Sequence, residues 1–378
     1  MSVPVAEAAL TETAMIDTVQ RLIECESPSS DHAAVARSAD LVAALGTQLL
    51  GVAPERIDVD GVAHLRWQFG ASTRVLLLAH HDTVWPIGTL DRLPFAIDDG
   101  LLAGPGCFDM KTGLAMALHA VSQIDDRDGI TILVTGDEEV GSVRSRALIE
   151  ETAAGARATL VLEASADGGA LKGERKGVSL YEVAVSGRAA HAGLEPEKGI
   201  NASIELAHLT LAAAALTDTG AGTSVTPTVA SSGSTTNTVP ARALLSIDVR
   251  ARTADELERV DAALRAYDPV TPGAAIEVRG GINRPPLESR MSASLFARAA
   301  RLAERCGLAP LECVAVGGAS DGNFTAGLGV PTLDGLGAVG GGAHAENEHA
   351  LIREIVPRTR LLIDLITDIS RTEEPWHN

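Results

Sequence analysis

The sequence predicts an α/β domain with a largely parallel sheet flanked by helices, interrupted by a smaller α+β insertion. Three observations carry this reading. The short apolar runs RVLLLA (74–79), ITILVT (130–135) and TLVL (159–162) have the composition of strands buried on both faces, and they alternate with segments of helical spacing. From about Gly177 the texture changes: VSLYEVAVSG (178–187) and RALLSIDVR (242–250) alternate apolar and polar positions, as strands with one solvated face do. After Pro285-Pro286 the first texture returns.

Taken in order, residues 13–24 and 33–50 have helical spacing, with Asp31 placed to cap the second segment. The stretch TGLAMALHAVSQI (112–124) supplies a helix between the first two buried strands, the alternation that builds a parallel sheet. Within the insertion, an Ala/Leu-rich helix is expected over 200–216. Another follows in TADELERVDAALRAY, where Thr253 and Glu256 have capping-box spacing, and AAIEVRGG reads as a further strand. This is the β-α-β-β-α-β order of a ferredoxin-like sandwich. The expected division is 1–176 with 287–378 for the larger domain and 177–286 for the insertion. SSGSTTNT (231–238) reads as a turn or functional loop.

A length of 378 residues accommodates two or three domains at ~100–200 residues each. The 50 acidic and 31 basic side chains give a formal charge of -19, which repels phosphate backbones and anionic lipid, so neither nucleic acid nor membrane is an expected partner. Cys25, Cys107, Cys306 and Cys313 are scattered without CxxC pairing and are expected to be reduced thiols. The N-terminal stretch lacks the basic and apolar regions of a signal peptide, and no apolar run approaches the ~18 residues of a membrane span. A soluble, cytoplasmic protein is expected.

In open α/β sheets the site lies beyond the carboxyl ends of the strands. His80, His81 and Asp82 follow the first buried run; Asp137, Glu138 and Glu139 follow the second; Glu163 follows the third; and GGGAHAENEHA supplies His344. Singly, each has a bland reading: a strand-end histidine is often just hydrogen-bonded, an acidic triplet is often solvated, and Asp109 in GPGCFDMKTG is placed to cap a helix. Together they form a set of imidazoles and carboxylates large enough for two metals ~3.5–4 Å apart that share a carboxylate and a water. Strand periodicity puts His80 and Asp82 on one side and His81 on the other, so His81 is expected to tolerate substitution. His119, inside an apolar helix, is expected to be packed. Trp85 is a candidate pocket residue without aromatic neighbours in sequence.

The motifs HHDTV (80–84), GPGCFDMKTG (104–113), GDEEVGS (136–142), LEAS (162–165), GRAAHAG (187–193) and GGAHAENE (341–348) together resemble the dinuclear zinc family of glutamate carboxypeptidase, aminoacylase and desuccinylases. The likeness runs in order from about residue 20 to 365, and HDTVWPIGTL is most similar to the glutamate carboxypeptidase branch. The resemblance implies a zinc-exopeptidase-like fold with an inserted dimerisation or lid domain. It implies that His80 and Glu163 hold one Zn²⁺, that Glu139 and His344 hold the second, and that Asp109 bridges them, with Co²⁺ or Mn²⁺ admissible in the same donors. Asp82 would orient His80, and Glu138 would be the general base. His191 would stabilise the oxyanion in the partner subunit of a homodimer. Arg284, Asn237, Ser320 and Gly318 would contact substrate, Arg284 through a carboxylate.

Three functions are compatible with these residues: a carboxypeptidase acting on a peptide or N-acyl conjugate, an N-acyl-amino-acid deacylase or desuccinylase, and an inactive binding protein of the same fold. None of the motif residues that the resemblance requires is missing, which weighs against the third.

Overall fold

The computed structural model describes residues 10–305 and 308–372; Cys306 and residues 1–9 of the N-terminal stretch lie outside the described residues. The chain divides into two compact units. The second comprises Arg175–Glu288 with Gly317–Ala319, and the first comprises the other described residues.

The first unit is built on a mixed sheet of β1 (Glu55–Val59), β2 (Val62–Gln68), β3 (Val75–His80), β4 (Ile130–Thr135), β5 (Ala158–Val161) and the short strand Thr332–Leu333. Its spatial order is β1-β2-β4-β3-β5 and then Thr332–Leu333. β4, β3, β5 and the last strand run parallel, while β1 and β2 add an antiparallel hairpin at one edge. Every residue of β3, β4 and β5 is buried. Along β3 the faces alternate: Val75, Leu77 and Ala79 join the core formed with the helices Glu12–Glu24, His32–Leu50, Thr112–Ser122 and Ile352–Arg371, whereas Leu76 and Leu78 pack with Leu148, Ile149 and Phe324 on the other side. Two buried faces explain why this strand reads as a continuous apolar run; each such leucine contributes about 1.5–3 kcal/mol. Asp31 caps His32–Leu50 by accepting from the amides of Ala33 and Ala34.

The same burial corrects the expectation for His81. It does turn away from His80, but the side it faces is packed protein, not solvent. His81 is 1% exposed, with Nδ1 3.2 Å from Ser38 Oγ and Nε2 3.1 Å from the Ala63 carbonyl. Burial pushes its imidazole down to about 4, so it stays neutral and serves as a hydrogen-bonded core group.

His119 is packed as expected, its Nε2 donating to Thr18 Oγ1 at 2.9 Å, and burial pushes it down to about 4. Its native pKa therefore lies below the ordinary 6.5. As pH falls through that value the unfolded chain takes up a proton that the native chain refuses until about pH 4, so stability is present above 6.5 and lost toward 4. Going from pH 7 to pH 5, this group should cost roughly 2 kcal/mol. Urea unfolding at the two pH values should show a change in His119→Gln that is less destabilising than that of the wild type by about this amount.

In the second unit, β6 (Gly177–Ser186), β7 (Ser224–Ser232), β8 (Arg242–Ala251) and β9 (Ala275–Arg284) form an antiparallel sheet in the order β7-β8-β6-β9. Tyr181, Val183, Val185, Leu245, Ile247 and Val249 form its core with Leu209 of the helix Ala202–Ala214 and Leu257, Val260 and Leu264 of the helix Ala254–Arg265. Thr253 Oγ1 accepts from the amide of Glu256, but the Glu256 carboxylate turns to Arg259 and Thr223, so only half of the expected capping box forms. β7 has no clear sequence signal because it contains Pro227, where the register slips, and is exposed over most of its length. Among the described residues no helix is long and apolar enough to cross a membrane.

Candidate metal centre

The predicted ligands converge at the carboxyl ends of three adjacent parallel strands. His80 closes β3, Glu138 and Glu139 follow β4, and Glu163 follows β5. Asp109 lies in the loop entering the helix Thr112–Ser122. His344 stands between the antiparallel strands Gly340–Gly341 and His349–Leu351 and adopts a left-handed φ of 62°, a backbone conformation rare outside glycine and found at functional sites when the surroundings enforce it.

Asp109 occupies the centre of the cluster. Its Oδ1 is 3.4 Å from His80 Nε2 and its Oδ2 is 3.3 Å from His344 Nε2, so each carboxylate oxygen faces a different imidazole. Glu163 Oε1 is 3.5 Å from the same His80 nitrogen, and Glu139 Oε2 is 3.2 Å from the same His344 nitrogen. The result is two half-sites, His80/Glu163 and His344/Glu139, joined through Asp109.

Asp82 organises the surroundings. Its backbone carbonyl accepts from His80 Nδ1 at 3.0 Å, and its carboxylate lies 3.4 Å from the same nitrogen, which leaves Nε2 directed at the cluster. The Asp82 carboxylate also accepts from the amides of Glu138 and Glu139, both at 3.2 Å, and from Ser29 Oγ at 2.6 Å. One side chain therefore fixes the orientation of His80 and the backbone of the two glutamates after β4.

Within this cluster His80 Nε2, Asp109 Oδ1 and Glu139 Oε1 are buried without a hydrogen-bond partner. Orphaned buried polar atoms are costly, and three of them pointing into one small volume is the arrangement that a bound cation satisfies. The mixed imidazole and carboxylate donors suit zinc, cobalt or manganese. The set His80, Glu138 and Glu163 and the set His80, Asp109 and Glu139 each place their donor atoms within 4.8 Å of one another.

The electrostatics agree. Burial would lower the His80 imidazole, but Asp109, Asp82 and Glu163 outweigh it and hold it well above its usual range. Asp109 and Glu139, with a smaller opposing contribution from burial, push His344 up to about 10. Burial would raise Asp109, yet His344 and His80 hold its carboxyl well below the usual carboxylate range. For Glu139 burial dominates and raises it. A divalent cation bound to these donors would take the place of protons that the carboxylates favour on the two imidazoles.

The remaining predicted residues are distributed differently. Ser320 is fully buried; its hydroxyl donates to Asp334 Oδ2 at 2.6 Å and its amide to Asn323 Oδ1 at 2.9 Å, so both of its donors are used inside the fold. In the second unit, His191 and Asn237 lie on two paired segments: Ala192 N donates to the Asn237 carbonyl, and His191 forms an antiparallel bridge with Thr238. His191 is exposed, and its Nδ1 accepts from the amides of Gly193 and Leu194, both at 3.1 Å. That places the ring proton on Nε2, which is left as a donor. Gly318 is exposed, its carbonyl accepting from Arg175 at 3.1 Å, and Arg284 is buried at the end of β9 opposite Val178.

Sequence reasoning did not find Ser29 or Glu348. Glu348 is 3% exposed and accepts from Trp85 Nε1 and from three main-chain amides around Asp109. In HAENE it looks no different from Glu346, which is exposed and pairs with Arg92.

The chain is similar to known proteins over most of its length. The profile described as "Peptidase family M20/M25/M40" matches residues 76–368. Carboxypeptidase G2 of Pseudomonas sp. (strain RS-16) is 29% identical over 376 residues, covering 94% of this chain and 90% of that protein. Succinyl-diaminopimelate desuccinylase 2 of Shewanella loihica is 33% identical over 213 residues, covering 50% of this chain and 56% of that protein. The crystal structure of aminopeptidase PepT from Bacillus cereus ATCC 10987 superposes with a TM-score of 0.76 at 22% identity, covering 96% of this chain and 99% of that one, a likeness of fold. With a matched profile spanning well over half its length, this chain is a hydrolase belonging to peptidase family M20/M25/M40.

Proposed function

We propose that the protein is a dinuclear metal-dependent amidohydrolase that cleaves an amide bond next to a free carboxylate, most specifically a glutamate-carboxypeptidase-like exopeptidase. The observation that carries the dinuclear reading is Asp109, with one oxygen toward His80 and the other toward His344. The specific reading is supported by the similarity to carboxypeptidase G2 over nearly the whole chain.

His80, Glu163, Asp109, Glu139 and His344 would hold two zinc ions. When bound, such a pair polarises the amide carbonyl and makes water a nucleophile at neutral pH. The chain's own residues supply the rest. Glu138 takes the proton from the attacking water and returns it to the leaving nitrogen, the role of a general base that becomes a general acid. His191, with Nδ1 occupied by two amides, is assigned to act in trans, offering Nε2–H to the oxyanion that develops in the partner subunit's site as the carbonyl is attacked. Arg284 is assigned to the substrate carboxylate, and Asn237, Gly318 and the Ser320 loop are assigned to further substrate contacts. The homodimer is a proposal too: Ile204 and Leu211 on the helix Ala202–Ala214, and Val229 on the edge strand β7, are exposed apolar residues of a kind a second copy would cover.

A desuccinylase or deacylase uses the same chemistry and is favoured by the likeness to succinyl-diaminopimelate desuccinylase 2. A panel of C-terminal glutamyl peptides, N-acetyl amino acids and N-succinyl amino acids, assayed for free amino acid, separates the two. Preferential hydrolysis of the glutamyl peptides supports the carboxypeptidase reading. Turnover confined to the succinyl or acetyl substrates replaces it with the second, and hydrolysis of none of them removes both.

A further inference from the structure

Asp109 can serve two half-sites only if its loop is held in register with the hairpin that carries His344. The loop is irregular: Asp109 (φ -118°, ψ 96°) and Met110 (φ -129°, ψ 33°) both depart from helical geometry, and the backbone closes over them only by wide bonds, Lys111 N to Gly106 O and Thr112 N to Cys107 O, in place of a regular helical ladder. One side chain spans the gap. Glu348 Oε1 accepts from the amides of Phe108 at 2.9 Å and Asp109 at 3.0 Å, while Oε2 accepts from the amide of Gly106 at 2.9 Å and from Trp85 Nε1 at 2.8 Å.

All four partners are donors, and an ionised carboxylate is the side-chain group that accepts on both oxygens at once. Glutamate has the length, and at 3% exposure both of its oxygens are turned into the protein. Gly106 takes a positive φ of 75°, and a Cβ there would stand 2.7 Å from Thr83 Cγ2, so the glycine lets its amide turn toward Glu348 beside the 82–85 loop. Glu348 itself is four residues beyond His344 and begins the return of the same hairpin. Three segments that follow or carry proposed ligands, the turn after His80, the Asp109 loop and the His344 hairpin, are therefore tied to a single carboxylate.

We infer that Glu348 is a positioning residue that sets the bridging Asp109 relative to His344 and thereby the spacing of the two metal positions. The inference rests on the dinuclear reading above. It acts through main-chain amides, not through the Asp109 carboxylate, so its effect should be on the geometry and affinity of the metals ahead of any effect on substrate binding.

The test is Glu348→Gln in the full-length, metal-loaded protein. The glutamine amide keeps the shape but, whichever way it is turned, sets an NH₂ against two donors. Metal affinity is measured by competition with a chromophoric chelator, and geometry from the visible absorption of the Co²⁺-substituted protein. Affinity for at least one ion should fall by about 10–100-fold, as for other outer partners of metal ligands, with a changed Co²⁺ spectrum, while Glu346→Gln leaves both unaltered. Glu348→Asp, which keeps two acceptor oxygens on a shorter arm, should recover part of the affinity. It also stands in for the glutamine variant if that fails to fold, and is then expected to bind metal more weakly than the wild type. Wild-type affinity and spectrum in a folded Glu348→Gln or Glu348→Asp protein would overturn the inference alone. A wild-type chain that takes up no divalent ion would sink the dinuclear reading and this inference with it.

Discussion

Replacing Glu138 by alanine should lower kcat by about 10²–10⁴-fold while the protein still binds two metal ions per chain. The residue sits where two roles compete. Its carboxylate can come within 4.8 Å of the donor atoms of His80 and Glu163, close enough to be a ligand, and it is buried at the end of β4 beside the true ligand candidate Glu139. Its main-chain amide, however, is pinned by Asp82, and the His80/Glu163 half-site already contains an imidazole, a carboxylate and a share of Asp109. The base role therefore predicts lost turnover with intact metal content, and the ligand role predicts that both fall together. Kinetics and elemental analysis on one preparation distinguish them; loss of one ion from the alanine variant would reassign Glu138 to the metal.

Asp109→Asn should remove activity by a different route, through the metals. Asparagine has nearly the same shape, but it replaces one of two anionic oxygens with an NH₂ that has no lone pair for a cation. Since each Asp109 oxygen faces a different imidazole, no orientation of the amide serves both half-sites. The loss of metal affinity should exceed the ~10–100-fold typical of outer partners, and at least one ion should be lost on dialysis. Substitution of Glu163 or Glu139 touches only one half-site and should leave the other ion bound. Equal retention of both ions in Asp109→Asn would show that Asp109 does not bridge.

Much of this was legible in the sequence because strands buried on both faces leave an unmistakable trace. The runs ending at Ala79, Thr135 and Val161 are buried throughout and mostly apolar, so the charged and imidazole groups that follow them, His80, Glu138 with Glu139, and Glu163, stand out as groups gathered at one edge of a parallel sheet. The same reasoning misjudged His81, since strand periodicity says which side a residue faces but not whether that side is solvent or the packing of Ser38 and Ala63. The edge strand β1 and the exposed strand β7 were invisible for the opposite reason: short or solvated strands carry little apolar periodicity, and Pro227 weakens what there is in β7; β2 is largely buried, but its polar His64 and Arg66 break the apolar run. Glu348 was hidden because its partners are main-chain amides and an indole, none of which has a signature at a fixed spacing from it. Ser320, which the family resemblance assigns to the substrate, is committed to Asp334 and Asn323, contacts that only the folded chain brings together.

The central claim is that one carboxylate, Asp109, joins two metal positions whose occupancy is required for amide hydrolysis. Its most direct test is a titration of the chelator-stripped protein with Zn²⁺, following bound metal by elemental analysis and amide hydrolysis on the same samples. The account predicts saturation at two ions per chain, no hydrolysis in the stripped protein, and activity that returns as the ions bind. Saturation at a single ion, or full hydrolysis without any, would contradict it.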